Sequence, residues 1–205
     1  MRQPGIVGHS VIVREGEVQM WNGIRMSTPA RTWLDLAAKL SLPDAVVLGD
    51  QLLRVPRAAF EEWSAPWNVR SELFTLLSGH PNFPGIVTAR EALQLMRVGA
   101  DSPPETKLRL ALLEWGLPEP ELQVRVDPED PWSLPADLGY RRERVAIQYG
   151  GGVHLTPEQQ ARDNRRDEGF NAAGWSYFKF NRTDLRGDFR RASMVVQGAL
   201  GRTAA

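Results

Sequence analysis

The sequence predicts a mixed α/β (α+β) protein whose two parts meet near residue 100. Three observations support this fold class. The first part has short apolar runs separated by turn pairs and then helical patterns. The second part has helical and strand patterns in the order α-β-β-β-α-β-α. Between them, Gly99-Ala-Asp-Ser-Pro-Pro104 has the composition of a domain boundary. We therefore expect two domains, residues 1–100 and 101–205.

The first part is predicted to contain a small β-element and four short helices. Strand patterns over about 6–13, 17–20 and 23–26 are separated by Glu15-Gly16 and Asn22-Gly23. Thr28 then precedes Pro29, an arrangement that favours a helix start. Further helices are expected over these ranges: about 43–54, from about 71, and about 88–97.

The second part begins with a predicted helix at Ser102-Pro-Pro-Glu105, a capping-box pattern. Its apolar stripe contains Leu108, Leu112 and Trp115, and Gly116 ends it. The elements that follow are three strands over about 121–126, 134–140 and 143–149, a helix from Thr156-Pro157 to about Gly174, a strand over 175–180 and a last helix ending near Leu200.

Composition excludes several classes of protein. Apolar residues make up 42% of the chain, enough for a folded core rather than a disordered chain. The chain has no cysteine, which excludes a disulfide scaffold and is compatible with a cytoplasmic location. We find neither a signal peptide in MRQPGIVGHS nor a run long enough to span a membrane, and expect no membrane association. Because the net charge is zero, nucleic acid would have to contact a local basic patch.

The pair of strands around residue 142 indicates where chemistry could occur. If the hairpin turns at Arg142-Glu143, residues whose numbers sum to 285 face each other. Asp137 then faces Gln148, and Gly150 lies on the same sheet face as Gln148. Arg-Glu is not a favoured two-residue turn, so this register rests on the assumption that the hairpin turns tightly at that pair.

Glu105 is a second candidate acid, because it shares a helix stripe with Leu108 and Leu112. It can cap the helix together with Ser102, or both cap the helix and line a site. Asp163 is expected to pair with Arg166 or Arg162 on its own helix.

A set of residues over about 102–200 occurs in the order of a known family. The set comprises Ser102-Pro-Pro-Glu-Thr-Lys-Leu-Arg109, Gln123, Ala136-Asp-Leu138, Val145-Ala-Ile-Gln-Tyr-Gly-Gly151, His154, Asp163, Gly174-Trp175, Lys179 and Asp184-Leu185. Together they resemble an actinobacterial domain-of-unknown-function family related to Vsr (very-short-patch repair) endonucleases. The resemblance implies a PD-(D/E)XK, restriction-endonuclease-like αβββαβα core.

The same resemblance implies site roles. Glu105 and Asp137 match the family's helix glutamate and strand aspartate, and His154, Asp163 and Lys179 match a nearby histidine, a helix acid and a strand base. In such a site carboxylates hold Mg²⁺ (or Mn²⁺), which activates water for phosphodiester hydrolysis. The metal ligands here would be Asp137 and Gln148.

Two positions depart from the family pattern. Gln148 stands where the family usually has Glu, and Gly150 where it often has Asp. The charge of the site then falls from about −3 to about −1 before Glu105 is counted, which weakens Mg²⁺ binding. The sequence thus predicts a degenerate or weak metal-dependent DNA endonuclease. A residual activity would use Asp137, Gln148, Glu105, His154 and Lys179.

Several of these side chains have equally ordinary interpretations. His154 could activate water or be a solvated loop residue. Lys179 could bind a phosphate or face solvent. Residues 156–191 contain eight Arg/Lys and six Asp/Glu, so Arg162, Arg165 and Arg166, with Lys179, could line a DNA groove or form a solvated charged face.

The first part also resembles a known type of sequence. Ser27-Thr-Pro-Ala-Arg-Thr-Trp-Leu-Asp-Leu-Ala37 resembles the segment before the nuclease-like domain in longer members of the same family, which are similar to AbiE-type antitoxins. No chemistry is assigned to residues 1–100. The alternative to an endonuclease is a non-catalytic pseudo-nuclease. It would bind nucleic acid or a protein partner as an antitoxin or regulator. A third alternative is an interaction protein that uses Trp63 and Trp67.

Overall fold

The computed structural model describes residues 11–57, 61–130, 132–150 and 156–203. Within these ranges the chain forms eight helices, one two-stranded sheet and one four-stranded mixed sheet. The predicted mixed α/β class is therefore confirmed. None of the helices in these ranges combines the length and the apolar character that crossing a membrane requires.

The N-terminal unit starts with the antiparallel hairpin of β1 (Val18–Trp21) and β2 (Ile24–Ser27). Asn22 and Gly23 both have positive φ at its turn, as a two-residue hairpin turn requires. The predicted strand over 6–13 is wrong for its described part, since 11–13 are in no strand. Four helices follow: α1 (Pro29–Ala37), α2 (Leu42–Leu53), α3 (Arg70–Gly79) and α4 (Ile86–Leu95).

Local chemistry fixes the starts of α1 and α2. Thr28 is the N-cap of α1, and its side chain accepts a hydrogen bond from the amide of Arg31, as predicted. Ser41 caps α2 in the same way, through the amide of Asp44. The indole of Trp33 joins the two helices, because its Nε1 donates to the carbonyl of Ala45 at 2.9 Å within the core.

The C-terminal unit has the predicted order with one addition. Its elements are α5 (Pro103–Glu114), β3 (Glu121–Val124), β4 (Ala136–Tyr140), β5 (Val145–Gly150), α6 (Pro157–Ala172), β6 (Ser176–Asn181), α7 (Arg182–Arg186) and α8 (Arg190–Thr203). The short helix α7, capped by Asn181, was not predicted. Trp115 is 39% exposed and outside the core, because α5 ends one residue before it.

The strand order of the larger sheet is β3-β4-β5-β6, with β6 parallel to β5 and the other pairs antiparallel. Leu138 pairs with Ile147, so the predicted register is confirmed. The turn is longer than predicted, because Tyr140 pairs with Val145 and the four residues 141–144 form the connection.

The two faces of this sheet are buried differently. Leu138 and Ile147 belong to a core cluster with α5 and α8. Ala146, on the opposite face by strand alternation, packs with Phe170 of α6 and with Trp175. Asp137 and Gln148 neighbour Leu138 and Ile147 along their strands, and therefore lie on the α6 side of the sheet.

A buried polar network joins the two units. Asp50 of α2 and Arg109 of α5 are both fully buried, and Arg109 Nη2 donates to Asp50 Oδ2 at 3.1 Å. Asp50 also accepts from the hydroxyl of Thr106 and the amide of Arg97. The helix α5 is thus fixed against the first hundred residues. The division into two domains near residue 100 stays a prediction.

Candidate functional site

The first turn of α5 holds Glu105 in a buried position, with 6% of its surface exposed. Its Oε1 accepts a hydrogen bond from the hydroxyl of Ser102 at 2.6 Å, and its Oε2 accepts one from the amide of Asp101 at 2.8 Å. The predicted capping box is not formed, because Ser102 donates to the carboxylate and its side chain caps no amide. Glu105 binds the residues just before α5 and still lines a cavity.

The hairpin β4–β5 holds Asp137, which is 7% exposed, at a similar depth. Gln148 Nε2 donates to Asp137 Oδ1 at 2.8 Å, and the amide of Tyr149 donates to Oδ2 at 2.7 Å. The confirmed register explains both contacts, because it places Asp137 opposite Gln148. Among the described residues, Gln148 Oε1 is buried without a hydrogen-bond partner.

One cavity of about 490 Å³ brings these groups together. It is lined by Arg57, Asp101, Ser102, Glu105, Leu134, Pro135, Asp137, Gln148, Arg162, Asp163 and Arg166. The lining side chains come from the segment after α2, the start of α5, strands β4 and β5, and α6. The structure therefore brings together three of the predicted catalytic residues, Glu105, Asp137 and Gln148, with two of the predicted nucleic-acid-binding residues, Arg162 and Arg166.

Two of the four carboxyl groups that line the cavity, those of Glu105 and Asp137, hold protons more tightly than ordinary carboxyl groups do. Burial, followed by the negative charge of Asp137, raises the pKa of Glu105 to about 7. Burial raises the pKa of Asp137 to about 6, against the lowering effects of the Tyr149 amide and the Arg166 charge. Near neutral pH the pair therefore gains or loses a proton easily, as catalytic carboxyl pairs do.

The arginines of α6 supply positive charge at the cavity. Arg166 forms an ion pair with Asp163, as predicted, and is close enough to lower the pKa of Asp137. Its Nε is buried and has no hydrogen-bond partner among the described residues. Arg162 is exposed at the cavity rim. An anion that entered the cavity would meet a buried donor on this helix.

Arg165 does not line this cavity. It lies with Arg162 and Arg166 along a neighbouring cleft of about 560 Å³, whose other wall includes Trp132 and Asp127. The three arginines predicted to contact nucleic acid therefore all line the second cleft, and Arg162 and Arg166 also line the first cavity. Trp132 is 86% exposed at the second surface.

Lys179 is adjacent to Gln148 in the sheet, but its side chain contacts residues outside the cavity. The register pairs Lys179 with Gln148. Its ammonium group forms an ion pair with Asp167 and lies 5.8 Å from the ring centroid of Tyr177. It is not among the residues that line the cavity. The predicted convergence of Lys179 on the site is therefore not seen.

The donor set of the cavity can be compared with the needs of a divalent cation. Glu105, Asp137 and the unpartnered Gln148 Oε1 provide oxygen donors only, which suits Mg²⁺ or Mn²⁺. Each carboxylate oxygen already accepts one hydrogen bond and keeps one lone-pair direction. Across the described parts of the chain, no three His, Cys, Asp or Glu side chains are grouped as metal ligands. The donors fit a weak site with two carboxylates.

Two predicted positions remain to be placed. His154 and the glycines at 151 and 152 lie outside the described residues. Gly150 ends β5, where an added Cβ would meet only the carbonyl oxygen of Phe180, at 3.8 Å. A side chain would therefore fit at position 150, so the described structure does not require glycine there for lack of space.

Sequence reasoning missed two charged residues of the cavity, Arg57 and Asp101. Arg57 Nη2 donates to Asp101 Oδ2, and the amide of Asp101 binds Glu105. The two side chains are 44 residues apart in the chain, and neither lies in a recognisable motif. Arg57 follows α2 and Asp101 precedes α5, and these two helices pack against each other.

Comparisons with known proteins identify relatives but no activity. No protein-family model matches the chain, and no solved structure matches it. It is 29% identical over 209 residues to two Mycobacterium tuberculosis proteins, the uncharacterized proteins MT2308 (strain CDC 1551 / Oshkosh) and Rv2248 (strain ATCC 25618 / H37Rv). The match covers 98% of this chain and 73% of each relative, so both units are included.

Proposed function

We propose that the cavity binds a phosphodiester of DNA and that the chain is a weak or degenerate metal-dependent endonuclease with a restriction-endonuclease-like core. The observation that carries this proposal is the pair Glu105 and Asp137. Both are buried in one cavity with raised pKa values, and no salt bridge to either occurs among the described residues. Such a pair is costly for the fold unless a ligand uses it.

The chemistry of the wall supports a phosphodiester as that ligand. Glu105 and Asp137, with the oxygen of Gln148, would hold Mg²⁺ or Mn²⁺, and the metal would activate water and offset charge on the phosphate. Arg166, with its unpartnered Nε, and Arg162 would contact non-bridging phosphate oxygens. With the short helix α7 left aside, the order α5-β3-β4-β5-α6-β6-α8 supports the core, and so does the family resemblance.

A second function, binding of nucleic acid or of a protein partner without hydrolysis, is favoured by Gln148. A third carboxylate at this position would strengthen metal binding. Gln148 is instead neutral, and its amide donates a hydrogen bond to Asp137. A pseudo-nuclease of this kind would keep the arginines and bind nucleic acid in a salt-dependent, metal-independent way. An antitoxin-like or regulatory role belongs to this second proposal.

The test is a cleavage assay on supercoiled plasmid and on single-stranded DNA in Mn²⁺, in Mg²⁺ and in EDTA. The variant Asp137→Asn keeps the side-chain shape and removes the charge. Asp188→Asn is the matched control, because Asp188 is exposed and its positive φ suits asparagine.

Metal-dependent cleavage by the wild type and by Asp188→Asn, but not by Asp137→Asn, would support the endonuclease. DNA retention without cleavage under any metal condition would reject the endonuclease and support the binding module. If the wild type neither cleaves nor retains DNA, both nucleic-acid functions are wrong.

A further inference from the structure

The side chain of Arg57 enters the candidate site from the N-terminal unit, to which no chemistry is otherwise assigned. It lines the same cavity as Glu105, Asp137 and Arg166. Its guanidinium uses Nη2 for Asp101, and about half of the side chain (49%) is exposed. Since a guanidinium has five N–H donors in a fixed fork, this pairing leaves Arg57 able to bind a second anion.

The backbone before and at Arg57 is held in place by one carboxylate. Glu61 Oε2 accepts the amide of Arg57 at 2.8 Å, while Glu61 Oε1 accepts from Arg54 Nη2 at 2.6 Å. The hydrogen bonds from Arg54 help to hold the pKa of Glu61 below its ordinary value. Arg54 is also 3.9 Å from Asp101. The backbone of Arg57 is therefore fixed by Glu61, and its side chain is directed by the ion pair with Asp101.

The charges of the cavity indicate what Arg57 could bind. Asp163 is paired with Arg166, and Asp101 is paired with Arg57, whereas Glu105 and Asp137 raise the negative potential between them. A phosphate entering here would be repelled by the two carboxylates. The arginines of α6 would contact the phosphate from one side of the cavity only. Arg57, from the segment after α2, adds a positive charge from a second part of the wall.

We propose that Arg57 is a phosphate-binding residue that the N-terminal unit contributes to the cavity, so that the nucleic-acid site is assembled from both parts of the chain. This assignment rests on the proposed nucleic-acid function. Arg57 would form a bidentate pair with the phosphate and share its fork with Asp101. The buried contact of Asp50 with Arg109 would keep α2 and α5 at the separation that this arrangement requires.

The experiment measures the affinity of a short fluorescein-labelled DNA duplex by anisotropy in EDTA, over a series of salt concentrations. Wild type, Arg57→Ala and Arg57→Lys are compared with Arg142→Ala. Arg142 is the matched control, because it is 95% exposed on the turn between β4 and β5 and loses the same charge. Thermal unfolding of each variant checks that the fold is retained.

We expect Arg57→Ala to bind about tenfold more weakly, with the slope of log affinity against log salt reduced by about one. Arg57→Lys should keep the wild-type slope and lose part of the affinity, because lysine retains the charge but not the fork. Arg142→Ala should bind like the wild type.

Two results would overturn the assignment in distinguishable ways. If the wild type binds DNA and Arg57→Ala behaves like Arg142→Ala, Arg57 only pairs with Asp101, while the proposed function stands. If the folded wild type binds DNA at no salt concentration, either in EDTA or with Mg²⁺ added, the proposed function itself is wrong, and the assignment of Arg57 is wrong with it.

Discussion

Gln148 Nε2 donates a 2.8 Å hydrogen bond to Oδ1 of Asp137 across the antiparallel pair β4–β5. This contact uses a carboxylate oxygen that a metal would otherwise approach. The amide oxygen of Gln148 is buried and has no hydrogen-bond partner among the described residues. The neutral side chain thus stabilises Asp137 within the fold. Because it carries no charge, the site offers less negative charge for binding a divalent cation.

Restoring negative charge beside Asp137 should create a stronger metal site. We expect Gln148→Glu combined with Gly150→Asp to bind Mn²⁺ measurably, since position 150 has room for a side chain. Metal at about one hundred times its dissociation constant would raise the free energy of unfolding by about 2.7 kcal/mol. Calorimetric titration and thermal unfolding with and without Mn²⁺ measure both effects.

Two controls accompany this double variant. Gln160→Glu adds a charge at an exposed position of α6 and should not bind metal. Adding Asp137→Asn to the double variant should abolish the binding. An absence of any Mn²⁺ or Mg²⁺ binding by the folded double variant would mean that the metal site is assigned to the wrong residues.

The raised pKa values of Glu105 and Asp137 make stability depend on pH. Between the ordinary carboxyl range and about pH 7, the folded chain keeps protons that the unfolded chain has released. The free energy of unfolding therefore falls as the pH rises through this window and stays low above it. The rise in the pKa of Glu105 from 4.5 to about 7 corresponds to roughly 3 kcal/mol.

Glu105→Gln should remove the part of this dependence that Glu105 contributes, because the amide carries no charge at any pH. We expect the variant to be more stable than the wild type at pH 8 and no more stable at pH 4.5, as measured by urea unfolding. Glu114→Gln, at an exposed position of the same helix, is the control. Parallel stability curves for wild type and Glu105→Gln would contradict the raised pKa of Glu105.

Contacts that depend on short-range pattern could be predicted from the sequence. The turn pair Asn22-Gly23, the N-cap Thr28 and the register that places Asp137 opposite Gln148 each follow from residues close together in the chain. The register was predictable even though the turn is longer than expected, because a tight turn at Arg142-Glu143 and a connection over 141–144 have the same centre and give the same strand pairing.

Long-range polar contacts could not be predicted in the same way. Asp50 and Arg109 are 59 residues apart, and Arg57 and Asp101 are 44 apart, and no local spacing indicates either pair. Ser102 and Glu105 are close in sequence, but the predicted capping box was wrong, because burial of Glu105 made its carboxylate an acceptor for Ser102 and Asp101. Such choices depend on the packing of α5 against its neighbours.

The buried pair Asp50 and Arg109 should be a major contribution to the junction of the two units. Asp50→Ala would leave the guanidinium of Arg109 buried without this carboxylate and would remove an acceptor from Thr106 and Arg97. We expect the free energy of unfolding to fall by about 3–5 kcal/mol. Urea unfolding at constant pH measures the loss.

Lys107 provides a matched comparison on the same helix pair. It forms a salt bridge of 2.9 Å with Asp44, again between α5 and α2, but its side chain is 40% exposed. Lys107→Ala should therefore cost about 1 kcal/mol or less, because water screens the pair. If Asp50→Ala cost no more than Lys107→Ala, the junction would be held by apolar packing alone, and the position of Glu105 on α5 would not depend on the buried network.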